Sequence, residues 1–434
     1  MTFDPRQSKL TRLMNKNINR DAWGQAVSIS VFLFFSLMLA VPSGYSYGAA
    51  LLLLIGVAFL VRRPDVSLAR EDRIIVYALL SIFIVSLFAF FFHNDDLDTL
   101  DQPSRCLLAI PVLMVSKKAP PRLAYMWAGL TCGAIAAAGL ATYQIYLAPA
   151  VRPTGFVTSA IPFGNLALMM GVFCVAGMFW AKTQGTYAWR WRLALLAGAV
   201  AGLYCSLASG SRGGWIALIP VALLFLVAFL DKRNLSKAIA IGSTGFIVLT
   251  ALFIIPDSTV RIRYDEAVQE VDNYIQKGNA ETSIGARLEA WRAAAINIPK
   301  KPLLGWSHKD YRAEQRRLVA EKELRPFVTT LVNTHNNYLE VWLFQGLFGL
   351  LALLALYAFP FWFFWKRLRS EDLIVQVLAV CGTSLLASFF TFGMTHVILG
   401  RNNGITFFVL TLVILWGTMR NREINARSRA AHIV

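Results

Sequence analysis

The chain of 434 residues is 56% hydrophobic and only 15% charged, with a mean hydropathy of +0.54. This composition is too apolar for a soluble protein of that length and indicates an integral membrane protein. The net charge of +17 would suggest a nucleic-acid partner in a soluble chain. Here the basic residues gather in turns between apolar segments and in the two tails, so no nucleic acid is expected.

Apolar segments long enough to cross about 30 Å of hydrocarbon predict an all-α bundle of about twelve transmembrane helices. They lie near residues 23–41, 46–61, 73–92, 104–116, 123–148, 160–181, 192–208, 213–230, 237–255, 336–365, 373–395 and 402–419. Lys and Arg cluster in every second turn, which the positive-inside rule assigns to the cytoplasm of a bacterium. The protein is therefore expected to span the inner membrane, in contact with its lipids and with both termini in the cytoplasm.

One soluble segment, 256–334, separates the first nine spans (1–255) from the last three and a basic tail (335–434). Apolar residues recur in this segment at helical spacing, for example Tyr264 and Val268. The segment is predicted to form a small helical cap, packed on the periplasmic face of the bundle.

Four arginines lie in short loops on the periplasmic side, where the positive-inside rule disfavours cations: Arg105, Arg152, Arg212 and Arg401. Unpaired cations at this rim need a separate reason, and an anionic ligand is the simplest.

Arg212 lies in the turn SGSRGG at 209–214, directly before a span. The N-terminus of that span directs free N–H groups and the positive end of the helix dipole at the rim. Phosphate fits there, because the glycines allow close approach and the arginine fork can bind two oxygens, with Ser211 as a supporting residue. A glycine turn with a snorkelling arginine is the alternative.

Further polar groups share this position. Arg105, Arg401 and His335 each open a span at the rim, and Arg287 and Trp291 are four residues apart on one face of a predicted cap helix. The arginines are expected to bind the same anion. Taken alone, Arg287 would be interpreted as a salt-bridged surface residue.

His335 is the candidate general base. A helix N-terminus and neighbouring arginines disfavour imidazolium, so the ring should be neutral and able to take a proton from a hydroxyl. A structural histidine bonded to Asn336 or Glu340 is the alternative, and Glu340 could orient the base or pair with an arginine. His396, near Arg401, is interpreted as a satisfied histidine at a helix end.

Metal chemistry has little support in the sequence. Asp96 and Asp98 have the spacing of a metal-binding DxD, but acidic outer loops are common. The sequence contains no Walker loop, dinucleotide fingerprint or familiar hydrolase motif. We therefore predict no metal and no cofactor.

Several motifs over roughly residues 203–350 carry a family resemblance in their order and topology. They are the SGSRGG turn, Gly285-x-Arg287-x3-Trp291, Pro302-x2-Gly305, and His335-Asn336 followed by Gly346 and Gly349. Together they resemble the O-antigen ligase and polymerase superfamily, and the ligases most.

The resemblance implies a membrane glycosyltransferase of the C type. It would transfer glycan from undecaprenyl pyrophosphate to a sugar of lipid A-core, in the periplasm and without nucleotide or metal. Arg212 and Arg287 would hold the pyrophosphate and His335 would activate the acceptor hydroxyl, whereas Arg105 and Arg401 match no motif and rest on topology.

Two alternatives stay open. One is a polymerase that uses the same donor. The other is a lipid or polysaccharide transporter, which should carry essential charges near mid-membrane. The predicted spans are nearly free of charge in their interior, which favours the enzyme.

Overall fold

The computed structural model of the chain describes residues 5–62, 68–157, 159–231 and 258–431, together with residues 236, 250 and 253–255. These residues form α-helices joined by turns and short 3-10 segments, and they contain no β-strand. The α-helices described are α1 Pro5–Leu37, α2 Gly44–Arg62, α3 Arg70–His93, α4 Asp101–Lys118, α5 Leu123–Tyr146, α6 Ala160–Trp180, α7 Ala188–Ser209, α8 Arg212–Phe229, α9 Thr259–Lys277, α10 Ser283–Asn297, α11 His308–Ala320, α12 Asn337–Trp365, α13 Leu373–Gly393 and α14 Asn402–Ala431.

The helices α1–α8 and α12–α14 coincide with predicted spans, while the ninth span, near 237–255, lies outside the described residues. By length and hydropathy, eight segments of the described chain qualify as membrane spans, and one of them, Ala160–Ser209, contains both α6 and α7. The all-α integral membrane fold is thus confirmed. The number of twelve stays a prediction.

The bundle has two ends, and we call the one that carries α9–α11 the cap end and the other the far end. Within the bundle α6 packs along α7, α4 along α14 and α3 along α12. The contact of α6 with α7 depends on small residues, because a Cβ at Gly202 would collide with the carbonyl oxygen of Ala167. Such close helix contacts fix the cap ends of these helices relative to one another.

The long helix α12 is broken near its start, as its predicted length suggested. Gly346 leaves the helical conformation, with φ 64° and ψ −164°. A turn from the cap satisfies the backbone there, since Leu347 N donates to Pro302 O at 2.9 Å and Trp306 N donates to Leu343 O at 2.8 Å. A Cβ at Gly346 would collide with that turn. The break therefore fastens the cap to the membrane bundle.

A buried carboxylate connects the helices of the cap. Glu289 on α10 is fully buried and accepts a hydrogen bond from the Tyr274 hydroxyl of α9 at 2.8 Å. Its other oxygen accepts one from the backbone N–H of Arg325, also at 2.8 Å. Both oxygens of the carboxylate are thus satisfied, which is the condition for burying it.

The predicted packing of α9 on the bundle is only partly correct. Its first turns contact the cap end through Glu266, but its apolar stripe is exposed: Tyr264 and Val268 are each 51% accessible, and Ile275 is 71% accessible. A helix with charges on one face and exposed apolar residues on the other is typical of a membrane surface. The spacing predicted the helix correctly, but the stripe faces away from the protein.

At the far end, an ion-pair network joins three spans. Asp72 of α3 is fully buried and contacts Lys117 of α4 at 2.5 Å, while Arg420 of α14 contacts it at 3.1 Å. Trp416 donates to the same carboxylate at 3.1 Å. Removing one member of such a network leaves charge in a site of low dielectric, which is strongly destabilising.

We predict that Asp72→Asn lowers the free energy of unfolding by about 3 kcal/mol or more, because it removes the negative charge between two buried cations. Asp265→Asn is the matched control: it breaks an exposed ion pair with Arg261 and should cost less than about 0.5 kcal/mol. Denaturant unfolding in detergent measures both. Equal losses for the two variants would contradict the role assigned to the network.

Candidate active site

The SGSRGG turn joins α7 to α8 at the cap end. Gly210 ends α7 with φ 63°, a conformation that favours glycine, and α8 begins at Arg212. Ser211 is 1% exposed and donates a hydrogen bond to Asn165 Oδ1 of α6 at 2.5 Å. A Cβ at Gly164 of α6 would collide with the hydroxyl of Ser209. The turn thus packs closely on α6, and the hydrogen bond of Ser211 holds it there.

The loop after α5 closes over the same turn. Arg152 donates from Nε to Ser209 O at 2.7 Å and from its terminal nitrogen to Gly210 O at 3.3 Å. Burial, followed by the nearby charge of Arg263, lowers the pKa of Arg152. This cation therefore stabilises the carbonyls at the end of α7 and adds positive charge to the turn.

Cations outnumber carboxylates around this turn. Arg212 contacts Glu266 of α9 at 3.3 Å, and Arg263 holds the same carboxylate more closely, at 2.7 Å. Arg287 of α10 reaches in from the cap and donates to Thr395 O at 3.3 Å. Burial, followed by the charge of Arg212, lowers the pKa of Arg287. Several guanidinium groups therefore lie close together around this turn, an arrangement of the kind that can bind an anion.

The excess of positive charge around the turn can be counted. Four cations surround the turn, and we call them the arginine cluster: Arg152, Arg212, Arg263 and Arg287. Glu266 and Glu270 are the carboxylates that act on them. Glu270 is also engaged with the backbone N–H of Ile284, at 2.8 Å. Two positive charges therefore stay unbalanced by these carboxylates, which a diphosphate can compensate.

His335 lies on a tightly held loop between the cap and α12. Trp291 of α10 donates to Thr334 O at 3.1 Å, and Glu340 accepts from Thr334 N at 2.7 Å. His335 itself has φ 54°, a left-handed conformation that costs energy in a residue with a side chain. Asn333 accepts from its backbone N–H at 3.0 Å. Trp291 and Glu340 thus position the residue before the histidine and do not touch its ring.

Asn336 fixes the start of the span that follows. Its side-chain oxygen caps α12, accepting from Tyr338 N at 2.9 Å and from Leu339 N at 3.1 Å. Its amide nitrogen donates to Met394 O at the end of α13, at 3.1 Å. Asn336 therefore connects α12 to α13 beside the histidine.

The imidazole of His335 is neutral. Burial lowers its pKa to about 4, with Arg287 and Arg401 as further causes. A neutral ring was predicted from the sequence. The prediction attributed it to neighbouring charges, whereas burial is the largest cause of the lowered pKa. Nδ1 of the ring is buried and has no hydrogen-bond partner among the described residues. An uncharged ring with a free nitrogen can accept a proton.

A second histidine lies beside the first. The ring centres of His396 and His335 are 6.4 Å apart, and burial together with Arg401 lowers the pKa of His396 to about 3. Its Nδ1 is also buried without a partner in the described part of the chain. We expected the ring nitrogens of His396 to be hydrogen-bonded at a helix end, and for Nδ1 this expectation is wrong.

Two of the predicted site arginines, Arg105 and Arg401, do not belong to the arginine cluster. Arg401 is close enough to lower the pKa of both histidines. Arg105 instead pairs with Asp101, one turn earlier on α4, at 2.9 Å. The expectation that these rim arginines are unpaired is thus wrong for Arg105, and for Arg212 with its carboxylate on α9.

Sequence reasoning missed Arg263, and it set His396 aside. In the sequence, Arg263 is one of many charged residues in the cap segment, and nothing distinguishes it from the others. Only the fold shows that it reaches the turn at Gly210. Among described residues, no three His, Cys, Asp or Glu side chains gather as metal ligands. Asp95, beside the DxD pair, accepts from both the backbone and the ring of His308 at 3.2 Å.

Two relatives are similar to this chain. A protein of Haemophilus influenzae with no described function is 28% identical over 388 residues, which cover 88% of this chain and 95% of that protein. The O-antigen ligase of Escherichia coli K12 is 25% identical over 179 residues, which cover 41% of this chain and 40% of the ligase.

A family comparison identifies the segment that carries the site. Residues 197–354 match the family model described as O-antigen ligase. This segment contains the SGSRGG turn, Arg287 and His335. The resemblance to the O-antigen ligase and polymerase superfamily is thereby confirmed for residues 197–354.

Proposed function

We propose that the protein is a membrane glycosyltransferase of O-antigen assembly. It transfers glycan from undecaprenyl pyrophosphate to a sugar hydroxyl of lipid A-core, at the periplasmic face of the inner membrane. The observation that supports this best is the arginine cluster with two unbalanced charges beside the neutral ring of His335. The family match over the same segment and the ligase of Escherichia coli as a relative support it further.

The arginine cluster is suited to hold the leaving pyrophosphate. Arg212 lies at the N-terminus of α8, where the helix dipole favours an anion. Its contact with Glu266 is long, at 3.3 Å, and both side chains are partly exposed. A diphosphate can displace that carboxylate from Arg212, while Arg263 keeps its closer contact with it. Arg287 then approaches the same diphosphate from the cap.

The reaction is a direct displacement at the anomeric carbon. The acceptor oxygen forms the new bond as the bond to the pyrophosphate oxygen breaks, and the electron pair leaves with the pyrophosphate. His335 takes the proton of the acceptor hydroxyl, and the configuration is inverted. Charge grows on the leaving group, so preorganised guanidinium groups lower the barrier. No step in this scheme uses a metal or a nucleotide.

Four residues position this machinery without touching the reacting atoms. Ser211 holds the turn on α6, Asn336 caps α12, and Trp291 and Glu340 hold the backbone beside the base. A general base must stay within hydrogen-bond reach of its substrate, so a rigid loop favours its action.

One assay tests the proposal. Purified protein is incubated with lipid-linked glycan and lipid A-core, and the products are weighed by mass spectrometry. The proposal expects a glycan conjugate of lipid A-core. A glycan lengthened on its own lipid pyrophosphate would indicate a polymerase, and no covalent product would contradict the proposed reaction.

We predict that His335→Gln lowers the transfer rate by about a hundredfold or more, since a general base typically contributes that much. Binding of undecaprenyl pyrophosphate should stay near the wild-type value. His396→Gln is the comparison, with a smaller loss expected. If His396→Gln stops transfer and His335→Gln does not, the base is assigned to the wrong ring.

We predict that Arg212→Lys and Arg287→Lys each lower transfer by roughly a hundredfold, because an ammonium cannot replace a two-pronged guanidinium contact. The donor Kd should rise with it. Arg190→Lys is the matched control, since this exposed arginine stacks on Tyr187 and Trp189 at the far end. An unchanged donor affinity in both cluster variants would argue against the pyrophosphate site.

The pH profile of transfer follows from the low pKa of His335. We expect a constant rate from pH 8 down to about pH 5 and a fall below it, as the ring gains its proton near pH 4. Arg287→Gln removes a nearby cation and should move this fall to higher pH, on top of its lower rate. A fall centred near pH 6.5 in the wild type would mean that the base is an ordinary exposed histidine.

A further inference from the structure

A cavity of about 300 Å³ lies between α3, α4, α12 and the segment before α14. This volume is at the lower end of the range for small-molecule sites. The residues of its wall that matter here are Asn337, Glu340, Gln345 and Arg401, and Phe344 adds an aromatic surface. Asn333, two residues before the histidine, also lines it. The cavity thus adjoins the loop that carries His335.

The polar groups of this wall have unused hydrogen-bonding capacity. Asn337 is 1% exposed, and its amide nitrogen has no hydrogen-bond partner in the described part of the chain. Glu340 accepts from Thr334 N through Oε2 at 2.7 Å, and its carboxylate is part of the same wall. The guanidinium of Arg401 makes no hydrogen bond or ion pair with the described residues. Donors and an acceptor therefore face one cavity together.

A polyhydroxyl ligand suits these groups better than a lipid chain. Hydrocarbon would leave each buried polar group without a hydrogen-bond partner, which is unfavourable. A sugar offers donors and acceptors at once, together with an apolar C–H face. Phe344 lines the cavity, and an aromatic side chain of this kind can pack on such a face.

Two arginines act electrostatically on His335: Arg401 of the cavity wall and Arg287 of the arginine cluster. The histidine therefore has both the cavity and the cluster as neighbours. A nucleophile must approach the anomeric carbon opposite the leaving group when configuration is inverted. An acceptor in the cavity must accordingly reach that carbon from the side away from the pyrophosphate.

We propose that this cavity binds the terminal sugar of the acceptor and presents its hydroxyl to His335, an inference that rests on the proposed glycosyltransferase function. Arg401 and Gln345 donate to sugar oxygens, and Glu340 accepts from a hydroxyl. Arg401 is then an acceptor-binding residue and not part of the pyrophosphate site.

The test measures initial rates of transfer with donor and acceptor varied separately. Gln345→Leu and Arg401→Met remove polar groups of the cavity wall and should raise the KM for lipid A-core about tenfold, with the donor KM unchanged within about twofold. Gln184→Leu and Arg190→Met make the same chemical changes at the far end, away from the cavity, where Gln184 is half-buried and Arg190 is exposed, and they serve as matched controls. Core oligosaccharide freed of its lipid should compete with lipid A-core, and phosphatidylglycerol should not.

Two outcomes would overturn the acceptor site while leaving the proposed function intact. One is wild-type kinetics for lipid A-core in both cavity variants, or a raised donor KM in place of the acceptor KM. The other is competition by phosphatidylglycerol but not by the oligosaccharide, which would assign the cavity to a lipid. Absence of any transfer by the wild-type protein would instead reject the glycosyltransferase itself.

Discussion

An excess of positive charge lies next to an uncharged imidazole at one end of the bundle, and the surrounding structure holds the two together. Guanidinium groups from the SGSRGG turn, the cap and the loop after α5 meet at one end of the bundle, with too few carboxylates to balance them. Repulsion among them raises the energy of the site, and the proposed diphosphate would relieve it. Burial keeps His335 unprotonated, and Arg287, one of the groups proposed to hold the donor, adds to this effect.

The surrounding scaffold resists this repulsion by packing and backbone hydrogen bonds. Ser211 holds the turn on α6, while the hydrogen bond of Trp291 to Thr334 and the break of α12 at Gly346 join the cap to the loop and the membrane helix that follow it. At the far end, the pairing of Asp72 with cations of α4 and α14 connects three spans of the bundle. Packing and hydrogen bonds therefore hold the elements around the proposed site in place.

Local sequence patterns predicted the helices well, but they predicted less well which residues the charged side chains contact. Hydropathy identified the spans and glycines marked the turn, because both signals act over a few residues. The pairing of Arg105 with Asp101 was readable from their spacing on α4, but the closeness of Arg263 to Gly210 depends on how α9 meets α7. Likewise, the spacing of α9 showed an apolar stripe but not its direction, and only the fold shows that burial dominates the pKa of His335.

In the proposed complex, one diphosphate lies between Arg212 and Arg287 and the transferred sugar faces His335. Cryo-electron microscopy of the protein in nanodiscs, with a donor whose diphosphate is replaced by a methylene diphosphonate, would show this arrangement. We expect diphosphonate oxygens at about 2.7–2.9 Å from both guanidinium groups and the anomeric carbon on the side of the imidazole. A diphosphonate bound away from the SGSRGG turn, or a sugar directed away from His335, would contradict it.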